Sequence, residues 1–153
     1  MIQILNSRQE HEIAKFLKEQ FGVEEIPGRI MKLGEEKLFL FTGNATDEEI
    51  KKIEELVPVE RLGVYFAKLI RNDVKLNIEG TQVLKNQIKR NIFEVDEEQA
   101  IKWMQGQELS IKTGKRNFLV IKYKDNFLGC GKASEEKIGN FIPKMRRLKN
   151  RSY

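Results

Sequence analysis

At 153 residues with 40% apolar content the chain can bury a core in one domain or two small ones, and no apolar run nears the roughly 18 residues of a membrane span. One cysteine, Cys130, and one histidine, His11, exclude an internal disulfide and leave no cluster for zinc. The net charge of +5 is unevenly placed: residues 1–90 balance at zero, residues 91–110 carry −4, and residues 111–153 carry 12 Lys+Arg against Asp125, Glu135 and Glu136, a net +9. A segregated basic patch is the footprint of a binder of nucleic acid or another acidic surface, and its competitor is a solvated charged surface.

Met1 to Leu5 has neither a basic region nor a cleavage site, so a secretory leader is not expected. The lone cysteine suits a reducing compartment, and a cytoplasmic location is expected. Ser7-Arg8-Gln9-Glu10 reads as a capping box opening a helix with Ile13, Phe16, Leu17 and Phe21 on one face, ended by Gly22. Residues 29–42 read as a hairpin turning at Gly34-Glu35-Glu36. Thr46-Asp47-Glu48-Glu49 is a second capping box, whose helix places Ile50, Ile53 and Leu56 inward and ends before Pro58. Leu62 to Ile70 and Val74 to Ile78 form a second hairpin about Arg71-Asn72-Asp73, with Lys75 and Asn77 alternating with apolar residues. Residues 79–90 read as a short helix or connector. An α+β domain over residues 1–85 and a second domain over 86–153 are expected, with the boundary between about residues 80 and 92. The first is charge-balanced without a basic stripe and is a candidate to dock protein partners.

The second unit opens with the strand Ile92 to Val95, followed by a helix capped by Asp96 that carries Ala100, Ile101 and Met104 inward and stops at Gly106. Trp103 is read as a core or interface anchor before a base-stacking platform. Asn117 to Tyr123 is a central strand, and Lys124-Asp125-Asn126 turns it into Phe127 to Ala133, a strand of small residues. Gly129, Cys130, Gly131 and Ala133 leave a shallow floor holding Lys132, which suits the approach of a sugar-phosphate backbone or marks a bulged edge strand. Extended chain around Pro143 brings Lys144, Arg146 and Arg147 close, with Lys144 and Arg146 on the side of Lys132 and Arg147 on the other. Tyr123 and Phe141 are stacking platforms or barrel side chains. Four or five strands and one helix are enough for a small barrel.

A cytosine-5 methylase would need a cysteine nucleophile and a glycine-rich cofactor turn between a strand and a helix. Cys130 is the sole candidate nucleophile, and Gly129 and Gly131 are not followed by a capped amphipathic helix. His11 reads as a surface residue. No catalytic residue, cofactor or metal ligand is therefore assigned.

An Asp-capped helix with Trp-Met-x-Gly, two apolar strands, Leu128-Gly129-Cys130-Gly131-Lys132 and an ending Asn140-Phe141-Ile142-Pro143-Lys144-Met145-Arg146-Arg147 together resemble the PUA domain. The matching segments are Phe93 to Gly106 and Leu119 to Leu148. PUA domains are small, mostly-β barrels found on RNA-modifying enzymes and ribosome-assembly factors. The resemblance implies a binding surface that includes Gly106, Lys112, Lys115, Arg116, Lys132, Lys144, Arg146 and Arg147, with Gly106, Gly129 and Gly131 as points of close backbone approach. Similar endings occur on RNA cytosine-5 methyltransferases of the Sun type. An α+β domain followed by a PUA domain is also similar to the layout of a ribosome-biogenesis factor acting on large-subunit precursors. By this resemblance the chain is expected to be a non-catalytic binder of rRNA or tRNA serving rRNA processing, ribosome biogenesis or RNA modification, with protein partners engaged through the first domain. The alternatives are a methyltransferase-related protein and a protein-interaction adaptor.

Overall fold

The computed structural model describes residues 2–57 and 63–149. The first half contains β1 (Ile2–Ile4), α1 (Ser7–Phe21), β2 (Arg29–Leu33), β3 (Lys37–Phe41), α2 (Asp47–Leu56), β4 (Val64–Ile70) and β5 (Asp73–Leu76). Its strands form one antiparallel sheet in the order β1-β2-β3-β4-β5. Successive side chains of a strand face opposite sides, and both faces are used. Leu38, Leu40, Phe66, Val74 and Leu76 meet Ile13, Leu17 and Phe21 of α1, whereas Met31 and Phe39 meet Ile50 of α2.

The cap of α1 is Asn6 rather than Ser7. The Asn6 side chain accepts the Gln9 N–H at 2.9 Å, and the Gln9 side chain accepts the Asn6 N–H at 3.0 Å. Gly22 closes the helix with φ +77°, the left-handed conformation that glycine adopts without a Cβ clash. Thr46 caps α2 as its sequence indicates. This helix meets the sheet through its first turns, so Ile50 is buried, Ile53 is partly covered and Leu56 is 83% exposed. Pro58 and Leu62 lie outside the described residues.

The return strand β5 ends at Leu76, two residues before the expected Ile78, because Asn77 caps α3 (Ile78–Val83). Its Oδ1 accepts the Gly80 N–H at 2.8 Å and its Nδ2 donates to the Tyr65 carbonyl at 2.8 Å. A Cβ on Gly80 would stand 2.0 Å from the Phe66 carbonyl oxygen, so only glycine lets α3 lie this close to β4. The same helix packs against β8 of the second half.

The second half contains β6 (Ile92–Glu94), α4 (Glu97–Met104), β7 (Phe118–Tyr123), β8 (Asn126–Ala133) and β9 (Ile138–Asn140), then a 3-10 turn over Lys144–Arg146. The 85/86 division falls in the connector between β5 and β6. The sheet order is β6-β7-β8-β9. β6 runs parallel to β7, which requires the crossover that α4 provides. Of the small barrel expected, no closed form is seen: among the described residues no ladder joins β6 to β9, and Leu109 adds one bridge to Ile138. The glycine strand β8 is interior, lying between β7 and β9, not an edge. It is bulged where Gly129, at φ +80°, follows Leu128 opposite Ile121.

Ala100 and Trp103 of α4 are buried and Met104 packs partly buried against the same cluster, as expected, whereas Ile101 is 45% exposed. Trp103 is the core anchor of this half, fully buried with its Nε1–H donated to the Leu128 carbonyl at 2.9 Å. β7 is buried on both faces: Leu119 and Ile121 join Trp103, while Phe118 and Val120 join the core of the first half with Phe127 and Cys130. One apolar core thus continues from α1 through both sheets. Among the described residues no helix is long and apolar enough to cross a membrane.

Candidate nucleic-acid interface

The close approaches that the glycines of β8 permit are to the protein's own atoms. A Cβ on Gly131 would lie 2.4 Å from Ile138 Cγ2, 2.6 Å from Trp103 Cη2 and 2.8 Å from the Gly139 carbonyl oxygen. Gly129 faces Ile78 of α3, whose Cγ1 would be 3.3 Å from its Cβ. Between them Cys130 is buried, and burial pushes its thiol up to about 12, opposed in part by the Leu76 backbone and by Lys75. The sulfur is therefore a protonated apolar side chain at neutral pH rather than a thiolate.

Lys132 is half-buried on the same strand, its Nζ 4.6 Å from the centre of the Phe118 ring. Beyond β9 the chain is not extended as the Pro143 sequence indicates. Pro143 has the fixed φ that starts a turn, and Lys144–Arg146 wind into the 3-10 turn, so the alternation expected of a strand is lost. Arg146 pairs with Glu79 of α3. Arg147 donates Nε–H to the Ile142 carbonyl at 2.9 Å and lies across Gly106, where a Cβ would be 2.3 Å from its Nε. Lys144 is exposed. In the loop after α4, Lys112 pairs with Glu136 at 3.5 Å and Arg116 with Glu135 at 4.0 Å, while Lys115 is exposed. Exposed pairs such as these contribute about 0–1 kcal/mol, so their cations exchange readily onto phosphate.

These residues fall into two groups. Lys112 and Arg116 lie beside the β8–β9 turn through their pairing with Glu136 and Glu135, and Lys115 is exposed in the same loop. Lys132 and Arg146 instead border a surface that reaches into the first half. The Phe118 ring beneath Lys132 meets the Phe141 ring edge-on at 6.2 Å, and Lys75 Nζ lies 4.2 Å from the Phe141 centre. Tyr123 lies elsewhere, half-buried, with Lys124 Nζ 5.4 Å from its ring.

The charge-balanced first half does carry a basic stripe. Lys37, Lys68 and Lys75 are direct cross-strand partners on β3, β4 and β5, and therefore share one face. Many of its acids lie on the helices, with Glu36 of the β2–β3 turn near enough to act on Lys75, so a zero net charge conceals the row. Desolvation and the Lys68 charge hold Lys75 below the usual lysine range, against a smaller pull from Cys130 and Glu36. The β4–β5 part of the row was legible, because a two-residue turn at Arg71-Asn72 sets Lys68 opposite Lys75. The β3–β4 part joins strands separated by α2, and no local signal sets that register.

Residues 90–148 match the family model described as the methyltransferase RsmF PUA domain. This supports a PUA domain in the second half, similar to those of Sun-type methyltransferases. No curated protein matches the chain.

Proposed function

We propose that the protein binds RNA without chemistry of its own, as an rRNA- or tRNA-binding factor in ribosome biogenesis or RNA modification. The match of residues 90–148 to a PUA domain carries this reading. The net +9 of residues 111–153 supports it, because phosphate contacts supply the affinity of most nucleic-acid binders. The buried, protonated state of Cys130 favours a binder over a cysteine-dependent methylase. The PUA half engages the RNA backbone through Lys132, Lys144 and the Lys112–Arg116 loop, and the first half presents the whole to partner proteins. Crosslinking of the full chain to RNA in its own cell extract, followed by peptide mapping, tests this. Crosslinks concentrated between Gly106 and Arg147 are expected. Capture of a protein partner with no RNA crosslink would replace the reading with an adaptor role.

A further inference from the structure

A cleft of about 490 Å³ opens between the two halves, within the roughly 300–1,000 Å³ of small-ligand sites. Lys37, Lys68 and Lys75 line one wall, Arg146 the rim, and Tyr65 and Phe141 supply aromatic surface. Like charges directly opposite one another destabilise a sheet. Three lysines occupy such positions here, and among the described residues none of them forms an ion pair. The lining acid, Glu79, is already committed to Arg146. Their local compensation is slight: Lys37 Nζ lies 5.8 Å from the Tyr65 ring centre, Lys75 Nζ 4.2 Å from that of Phe141, and Glu36 acts on Lys75 from outside ion-pair distance. Residues that break a local rule with so little in return mark functional positions. The unmet requirement is for an anion of more than one charge, and the lysines supply point charges for phosphate rather than the planar fork that suits a carboxylate.

The rings narrow the chemistry further. Phe141 is 45% exposed at the cleft and edge-on to Phe118, which carries Lys132 on the PUA half. The series Lys75, Phe141, Phe118, Lys132 is therefore unbroken, two rings with a cation at each end, and the cleft is continuous with the surface assigned above to RNA. Sequence-specific RNA readers take unpaired bases onto aromatic faces while cations hold the adjoining phosphates.

We propose that the cleft is a nucleotide site, with an aromatic base against Phe141 and Tyr65 and its phosphate on the Lys37–Lys68–Lys75 row. Where the nucleotide belongs to an RNA strand, the site selects an unpaired residue next to the segment held by the PUA half, and this arm rests on the RNA-binding reading. A free mononucleotide presents the same chemistry.

The test uses the full chain and two variants, Lys68→Met with Lys75→Met, and Phe141→Ala. Binding is measured by fluorescence anisotropy to a hairpin RNA with an unpaired loop and to a fully paired duplex, and by thermal shift and lysine Nζ NMR with AMP and with inorganic phosphate. The expected result is at least a fivefold loss of loop-RNA affinity in both variants with duplex affinity unchanged within twofold. AMP that protects the parent and shifts Lys75, with phosphate alone weaker and with both effects lost in the double variant, establishes the site even if neither RNA binds. That combination would refute the RNA reading and retain the nucleotide site. RNA binding unaffected by either variant, together with no response of the parent to AMP, overturns the proposal and leaves the RNA reading in place. Should a variant melt early, the response of the parent to AMP decides alone.

Discussion

Gly131→Ala separates a glycine that serves a ligand from one that serves the core. The added Cβ would stand 2.4 Å from Ile138 Cγ2, 2.6 Å from Trp103 Cη2 and 2.8 Å from the Gly139 carbonyl oxygen. Carbon contacts settle near about 3.5–4.0 Å, so each neighbour must retreat by roughly an ångström. Trp103 cannot do so freely, because its ring is fully buried and its Nε1–H is held by the Leu128 carbonyl. The oxygen belongs to the ladder between β8 and β9. Overpacking of this kind costs about 1–3 kcal/mol, which for a chain of this size lowers the melting temperature by about 2–12 °C. Differential scanning fluorimetry measures the loss, and anisotropy well below the new melting temperature measures RNA affinity, expected within about twofold of the parent. An alanine variant that melts with the parent but binds RNA ten times more weakly would overturn the packing role and return Gly131 to the ligand surface.

Cys130 ionises near the ordinary thiol range in the unfolded chain but only at about 12 in the fold, so the folded state retains its proton longer. Its contribution is full below about pH 9 and is lost as the pH rises towards 12, on the order of 2 kcal/mol by pH 10.5. Urea midpoints at pH 7.5 and 10.5 should therefore differ more in the parent than in Cys130→Ala, and a thiol reagent at pH 8 should label Cys130 only in urea. Glu79→Gln releases Arg146 and removes an acid from the cleft rim; stability should change by less than about 1 kcal/mol while RNA affinity rises a few fold in anisotropy. A fall in affinity would show that Glu79 positions Arg146 for binding.

Local signals carried the helices. The Thr46 and Asp96 caps, the Gly22 stop and the two tight hairpins each depend on residues within a few positions, and each forms where the pattern lies. Ser7 was displaced by one residue because Asn6 caps with Gln9 as readily as Ser7 would with Glu10. What the pattern could not supply was the partner across space. Gly129 and Gly131 announce a close approach, but whether to RNA, to Ile78 or to Trp103 depends on how α3 and α4 pack. The tail illustrates the same point. Lys144, Arg146 and Arg147 were visible as cations, yet Glu79 and the Ile142 carbonyl, which orient two of them, come from elsewhere in the fold. The Lys37–Lys68 part of the lysine row was hidden for a third reason, since it is a property of sheet register across α2 rather than of composition.

If the basic face of the PUA half holds RNA by its phosphates, binding must depend steeply on salt. Anisotropy of the full chain with a structured RNA should give a log Kobs that falls linearly with log salt between 50 and 200 mM, by about 0.7–0.9 for each phosphate neutralised. The variant Lys132→Ala, Lys144→Ala, Arg146→Ala, shown to be folded by circular dichroism, should lose roughly two units of that slope and weaken RNAs of different sequence alike. A folded triple variant with unchanged affinity and slope would show that this face does not hold the RNA.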